Sequence, residues 1–133
     1  MNIQSIEGIG PVNAERLRNQ GINTVEVMLE TGATKAGRRE LARKTGLAEE
    51  LILGWVNRAD LMRVRGIGTQ YSDLLEAAGV DTVKELRRRR ADSLHAAMAE
   101  ANAQRRLVRR VPTEKEVERW ITRAKELAPM VSY

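Results

Sequence analysis

Residues 6–28, IEGIGPVNAERLRNQGINTVEVM, and residues 64–86, VRGIGTQYSDLLEAAGVDTVKEL, follow one pattern. At an offset of 58 positions, seven aligned pairs are identical. Three of these pairs are glycines: Gly8 with Gly66, Gly10 with Gly68, and Gly21 with Gly79. An internal repeat has to be recognised before a fold is assigned, because one unit of this size rarely buries its apolar face alone. The sequence therefore predicts two copies of one unit.

Each copy is typical of a series of short helices. A Gly-Ile-Gly turn leads into a helix that a third glycine ends, and a threonine begins the next one, with Thr82 and Glu85 as a capping box in the second copy. At an offset of 65 positions, Trp55–Ala59 also resembles Trp120–Ala124, and each Trp lies on an apolar stripe of helical period. We expect both Trp side chains to be buried. No segment alternates as a strand does, so the predicted fold class is all-α.

Four further helices are predicted from periodicity and end signals, the first of them near 37–44. One covers 48–64, with Leu51 on the same apolar face as Trp55. Another covers 93–102, with Asp92 as its cap. The last begins after Thr113, which forms a capping box with Glu116.

Composition limits the class of protein. The 133 residues are 42% hydrophobic and 3% aromatic, with no cysteine. Without cysteine we expect neither a disulfide framework nor thiolate metal sites. No apolar run is long enough for a membrane span, so we expect a cytoplasmic protein. The formal charge is +5, with a sequence pI of about 10.1, which favours polyanionic partners such as nucleic acids.

The repeated turn resembles a known DNA-binding motif. An apolar residue, Gly-Ile-Gly, a small residue and a leucine occur in this order at Ile6–Leu17 and at Val64–Leu75. This pattern resembles the helix-hairpin-helix motif of DNA repair and recombination proteins. Two glycines suit the turn because it needs unusual backbone angles and close approach.

The whole chain also resembles an uncharacterised bacterial family, catalogued as a domain of unknown function, that consists of tandem helix-hairpin-helix units. The resemblance is carried by Trp55–Arg63, which runs into Gly66–Gly68, and by Ala78–Leu86. It implies two tandem bundles of the SAM-like helix-hairpin-helix type, at residues 1–60 and 61–133, that share a connecting helix.

In the helix-hairpin-helix family, the turn presents backbone N–H groups and a helix N-terminus to a DNA phosphate. The second turn is the better candidate, because Arg63 and Arg65 precede it, whereas Glu7 and Pro11 flank the first. The alternative is that both turns are only compact connectors. We therefore predict a sequence-independent site for duplex DNA in the second copy and a weaker one at Gly8, Ile9 and Gly10.

Two arginine clusters extend the predicted site. Arg87 to Arg90 close the short helix that begins after Thr82, where they complement the helix dipole. Arg105 to Arg110 contain four arginines that would form one basic face if that stretch is helical. Solvated surface is the alternative for both. The predicted nucleic-acid-binding residues are Arg63, Arg65, Gly66, Ile67, Gly68, Thr69, Arg87, Arg88, Arg89, Arg90, Arg105, Arg106, Arg109 and Arg110.

The sequence gives no support for catalysis. His95 is the only histidine, and it lies among Leu94, Ala96 and Ala97 without partners for a catalytic or metal-binding constellation. We therefore expect no enzymatic activity, no cofactor and no metal. The rival hypothesis is a scaffold or protein-interaction module that keeps the fold without binding DNA.

Overall fold

The computed structural model describes residues 1–133 and is all-helical, as predicted. A 3-10 turn at Ile3–Ser5 comes first. Eight α-helices follow: α1 Pro11–Arg18, α2 Val25–Gly32, α3 Lys35–Thr45, α4 Glu49–Leu61, α5 Thr69–Ala77, α6 Val83–Leu86, α7 Ala91–Arg105 and α8 Glu114–Glu126. None of these helices has the length and apolar character that crossing a membrane requires.

The chain divides into two compact units. The first comprises Met1–Asp60 together with Met130–Tyr133, and the second comprises Leu61–Pro129. The last four residues therefore belong to the first unit, and not to the second as the predicted range 61–133 has it.

Each unit has its own apolar core, built almost without aromatic residues. Trp55 is 1% exposed in the first unit and Trp120 is 2% exposed in the second, which confirms that both are buried. The first core includes Ile3, Ile6, Leu17, Ile22, Val25, Met28, Leu29 and Val56. The second includes Leu61, Val64, Ile67, Leu74, Leu75, Val80, Val83, Leu86, Leu94, Met98, Val117, Ile121 and Ala124.

The two Gly-Ile-Gly turns have the same backbone geometry. In the first, the N–H of Ile9 donates to the carbonyl of Ile6 at 3.2 Å, and in the second, Ile67 donates to Val64 at 3.0 Å. The middle isoleucine of each turn is buried. Its burial anchors the turn and leaves the glycines on either side of it toward the surface.

Helix starts depend on threonine side chains. Thr82 accepts from the N–H of Glu85, but the reciprocal bond of the predicted capping box is absent. At Thr113 and Glu116 both bonds are present, so that capping box is confirmed. Asp92 is not the cap of α7, because Arg90 occupies that position and Asp92 lies in the first turn, accepting from the N–H of Ser93.

Two expectations about helical faces are wrong. Leu51 is 42% exposed, whereas Ile52, three residues before Trp55, is fully buried, so the apolar face of α4 is rotated from the predicted one. The helix α7 ends at Arg105, where Arg106 adopts a positive φ of 51° as its C-cap. Arg105 to Arg110 therefore do not form one face of a helix.

Candidate nucleic-acid interface

The second turn presents open backbone. Gly66 is exposed, and its φ of +100° favours glycine at that position. Gly68 has an extended backbone and is the N-cap of α5. A Cβ added at Gly68 would meet no atom within 4 Å. A small anion can therefore approach the backbone at the start of α5, where a helix N-terminus favours negative charge.

The helix α8 lies against this turn. A Cβ added at Gly66 would lie 2.8 Å from the Nε1 atom of Trp120, so the buried indole packs directly against the glycine. The guanidinium of Arg123 donates from Nη1 to the carbonyl oxygen of Arg65 at 2.5 Å. These two contacts fix one face of α8 next to the turn.

That face carries basic residues that the sequence analysis missed. We call Lys115, Arg119 and Arg123 the α8 basic stripe. With Glu118 and Thr122 they line a shallow groove of about 370 Å³. These three residues could have been identified from the sequence, because they recur every four residues on a helix whose apolar face is predicted. Their signal was hidden because acidic residues alternate with them along α8.

The first turn differs in charge and in shape. Gly8 has a similar φ of +93°, but a Cβ there would lie 3.6 Å from Nε1 of Trp55, an ordinary contact. Pro11 removes one N–H group at the start of α1, and the exposed Glu7 adds negative charge. Val12, 66% exposed, places an apolar side chain where the second turn has Gln70. The first turn therefore suits a phosphate less well than the second.

The residues predicted around the second turn are only partly available. Arg65 is exposed, and Ile67 is buried as an anchor. Arg63 and Thr69 are half-buried and already interact with other residues of the chain. Among the two arginines that precede the turn, Arg65 is thus the one that offers its side chain to a ligand.

The segment Arg87–Arg90 lies away from this turn. Arg89 donates to the carboxylate of Glu85 at 3.0 Å and to the carbonyl of Gly79 at 2.9 Å, and Arg90 pairs with Asp92. Because Gly79 follows the C-terminal end of α5, the cluster is separated from the turn by the length of that helix, about 13 Å. Arg89 has a structural role, and the exposed Arg88 stays available.

Arg105 ends α7, and residues 106–110 form an irregular loop that Asn102 holds in place. The side chain of Asn102 accepts from the N–H of Val108 and donates to its carbonyl. Arg105, Arg106 and Arg109 are exposed, whereas Arg110 makes a two-point ion pair. The second cluster therefore consists of separate surface arginines.

Arg110 sits beside the start of α5. Its carbonyl accepts from the hydroxyl of Tyr71 at 3.0 Å, and its guanidinium donates to both carboxylate oxygens of Glu116, at 2.6 and 3.1 Å. The structure thus brings this arginine, the second turn and the α8 basic stripe together within one unit.

This ion pair predicts a pH dependence of stability. The bonds from Arg110, and then from the backbone of Thr113, lower the pKa of Glu116 from 4.5 to about 2. Because the folded pKa lies below the unfolded one, the stabilisation is complete above about pH 4.5 and is lost as the pH falls toward 2. In urea unfolding, Glu116→Gln should be less stable than the parent at pH 7, with the difference shrinking through that window. A difference that does not change with pH would contradict this.

All of the net charge lies in the second unit. Its residues Leu61–Pro129 contain 15 Lys and Arg against 10 Asp and Glu, whereas the first unit contains 8 of each. The formal charges are therefore +5 and 0. An electrostatic field that attracts polyanions originates from the unit that carries the open turn.

The chain also matches a family of known sequences. The family described as "Domain of unknown function (DUF4332)" matches residues 7–127. No curated protein and no solved structure matches the chain. No group of three or more His, Cys, Asp or Glu side chains is arranged to hold a metal ion.

Proposed function

This chain belongs to the DUF4332 family, and we propose that it is a non-enzymatic, cytoplasmic module that binds duplex DNA without sequence preference. In this proposal each unit is a helix-hairpin-helix bundle, in tandem with the other through the shared helix α4. The second turn contacts a phosphate with its backbone, and the surrounding arginines add charge.

The open second turn is the observation that carries the proposal. The N-cap residue of α5, Gly68, has no side chain, and a Cβ added there would meet no atom within 4 Å. The helix that begins at this turn belongs to the unit that carries the whole net charge. Such a turn contacts the phosphate backbone through its N–H groups, and contacts of this kind carry no sequence information. Binding should therefore depend on salt and hardly on sequence.

The aromatic residues favour duplex over single-stranded nucleic acid. Binding of single strands usually relies on exposed aromatic platforms on which bases stack. Trp120 is buried, and the ring of Tyr71 packs against it with centroids 5.2 Å apart. The second unit therefore offers no free aromatic face next to its turn.

Fluorescence anisotropy with duplexes of mixed sequence across a salt series tests the proposal. We expect dissociation constants of about 10⁻⁴ to 10⁻⁶ M at physiological salt and a log-log salt slope of roughly −3 to −5, which corresponds to about three to five neutralised phosphates. If the folded protein binds no duplex at low salt, that result contradicts the proposal.

One substitution should move stability and binding in opposite directions. Gly68→Asp introduces a preferred N-cap residue into open space, so α5 should be stabilised by a few tenths of a kcal/mol or more. The same carboxylate would repel a phosphate, and we expect duplex affinity to fall at least about tenfold at low salt.

The matched control is Gly10→Asp in the first turn, where a Cβ also meets nothing within 4 Å. It should leave affinity nearly unchanged. Equal losses of affinity for the two variants would show that the second turn has no special role.

A scaffold or protein-interaction module is the second candidate, and the first turn favours it. There, Val12 is exposed, Glu7 is acidic and the unit has no net charge, which suits a protein partner better than a phosphate backbone. If duplex binding is absent, this function becomes the preferred one.

A further inference from the structure

We infer that the α8 basic stripe is a second phosphate-binding surface, which continues the contact made by the second turn along the backbone of the same DNA strand. The inference rests on the proposed function and deepens it, because it assigns residues outside the turn and outside the two arginine clusters. The juxtaposition that carries it is the bond from Arg123 to the carbonyl of Arg65.

The spacing of the stripe suits a row of phosphates. Lys115, Arg119 and Arg123 recur every fourth residue on α8, so successive side chains start about 6 Å apart along the helix axis and the stripe spans about 12 Å. Neighbouring phosphates of one strand have a comparable separation. Lys115 and Arg119 can therefore contact consecutive phosphates, with Arg123 at the end of the stripe next to the turn.

The stripe is held in position by the same contacts that build the turn. Trp120 lies one residue after Arg119 and packs beneath Gly66, which fixes the rotation of α8. Arg123 is tied to the turn itself. A phosphate bound at the turn is thus adjacent to Arg123, and Arg119 and Lys115 follow along α8 with increasing distance from the turn.

Two of the three cations are available to a ligand. Lys115 and Arg119 are exposed and form no ion pair, although acidic residues lie on the same helix. By contrast, Arg43 and Lys44 in the first unit are paired with Glu40. Free cations along a shallow groove are what a polyanion would use.

The first unit provides an internal comparison. At the offset of 65 positions that aligns the two tryptophans, Lys115 corresponds to Glu50 and Arg119 corresponds to Gly54. The equivalent face of α4 therefore lacks both of these cations. The stripe is a property of the second unit alone, the same unit that carries the open turn and the net charge.

The double variant Lys115→Ala/Arg119→Ala tests the inference by duplex anisotropy across salt. Because each lost phosphate contact removes about 0.9 from the salt slope, the slope should become about two units less steep, with affinity reduced roughly 50-fold at about 0.1 M salt. Glu118→Gln removes the one acid that lines the groove and should strengthen binding. Alanine favours helix, so the double variant should keep its fold, and a thermal melt checks this.

The matched control is Arg16→Ala/Lys35→Ala, which removes from the first unit two exposed cations that form no ion pair and should leave the slope within about half a unit. If the parent protein binds with the expected slope and both double variants match it, the stripe is not a phosphate site and the proposed function still stands. If the parent protein fails to bind, the proposed function itself falls. If poly-glutamate at equal charge displaces the duplex as well as DNA does, the stripe is a site for acidic polypeptides and the inference is overturned.

Discussion

Truncating Trp120 to alanine should destabilise the protein by about 3 to 5 kcal/mol, the range found for large aromatic side chains removed from cores. The indole is 2% exposed, and it packs on the ring of Tyr71 at a tilt of 51°. It also fills the space beneath Gly66. The substitution therefore removes core contacts and leaves the second turn without support.

Urea unfolding followed by circular dichroism measures this loss, because the helical signal reports the whole fold. The matched variant is Trp55→Ala in the first unit, where the side chain is 1% exposed, and a loss of similar size is expected. A loss below about 1 kcal/mol at Trp120 would mean that the residue does not anchor its unit.

The second large effect is expected for Gly66→Ala, at about 2 to 6 kcal/mol. A φ of +100° is strained for any residue with a Cβ, at about 1 to 3 kcal/mol. The new Cβ would also lie 2.8 Å from Nε1 of Trp120, an atom of a packed side chain with little room to move. Overpacking of this kind typically adds a further 1 to 3 kcal/mol.

The comparison variant is Gly8→Ala, which shares the backbone strain because its φ is +93°. Its Cβ would be 3.6 Å from Trp55, so the overpacking part is missing. Gly66→Ala should therefore be the more destabilising of the two in thermal or urea unfolding. Equal losses would show that the indole of Trp120 does not press on the turn.

Local signals in the sequence predicted much of the fold. The glycine turns, the threonine starts of the helices and the two buried tryptophans all depend on residues close to one another in the chain. The capping box at Thr113 was predictable for the same reason, since both of its bonds join residues three apart. Short-range chemistry of this kind leaves a recognisable pattern.

One error arose where side-chain bonds and an unusual backbone angle end a helix. The end of α7 at Arg105 depends on a positive φ at Arg106 and on the bonds from Asn102 to Val108, neither of which follows from helical periodicity. The arginine spacing alone does not show where the helix ends.

A charge count from the sequence does not show that Arg38 is buried. This guanidinium is buried at 4% exposure and donates to the carbonyls of Gly32, Ala33 and Ser132. Its environment includes a residue 94 positions away in the chain. A sequence-based count treats it as surface charge, although it is part of the interior of the first unit.

The candidate site was predictable at its centre and not at its edge. The second turn followed from its glycines and from Arg65, whereas the position of the α8 basic stripe beside that turn depends on the bond from Arg123 to the carbonyl of Arg65. A bond that spans 58 positions has no signature in one sequence. The two arginine clusters were conspicuous in sequence, yet Arg89 and Arg110 have partners within the fold.

The most direct test of the central claim is an amide NMR titration of the ¹⁵N-labelled protein with a short duplex of mixed sequence at low salt. We expect the largest shift changes at Gly66, Gly68 and along 115–123, and much smaller changes at Gly8 and Gly10, which serve as the internal reference. Changes centred on Gly8 and Gly10, or no changes with duplex in large excess, would contradict the account.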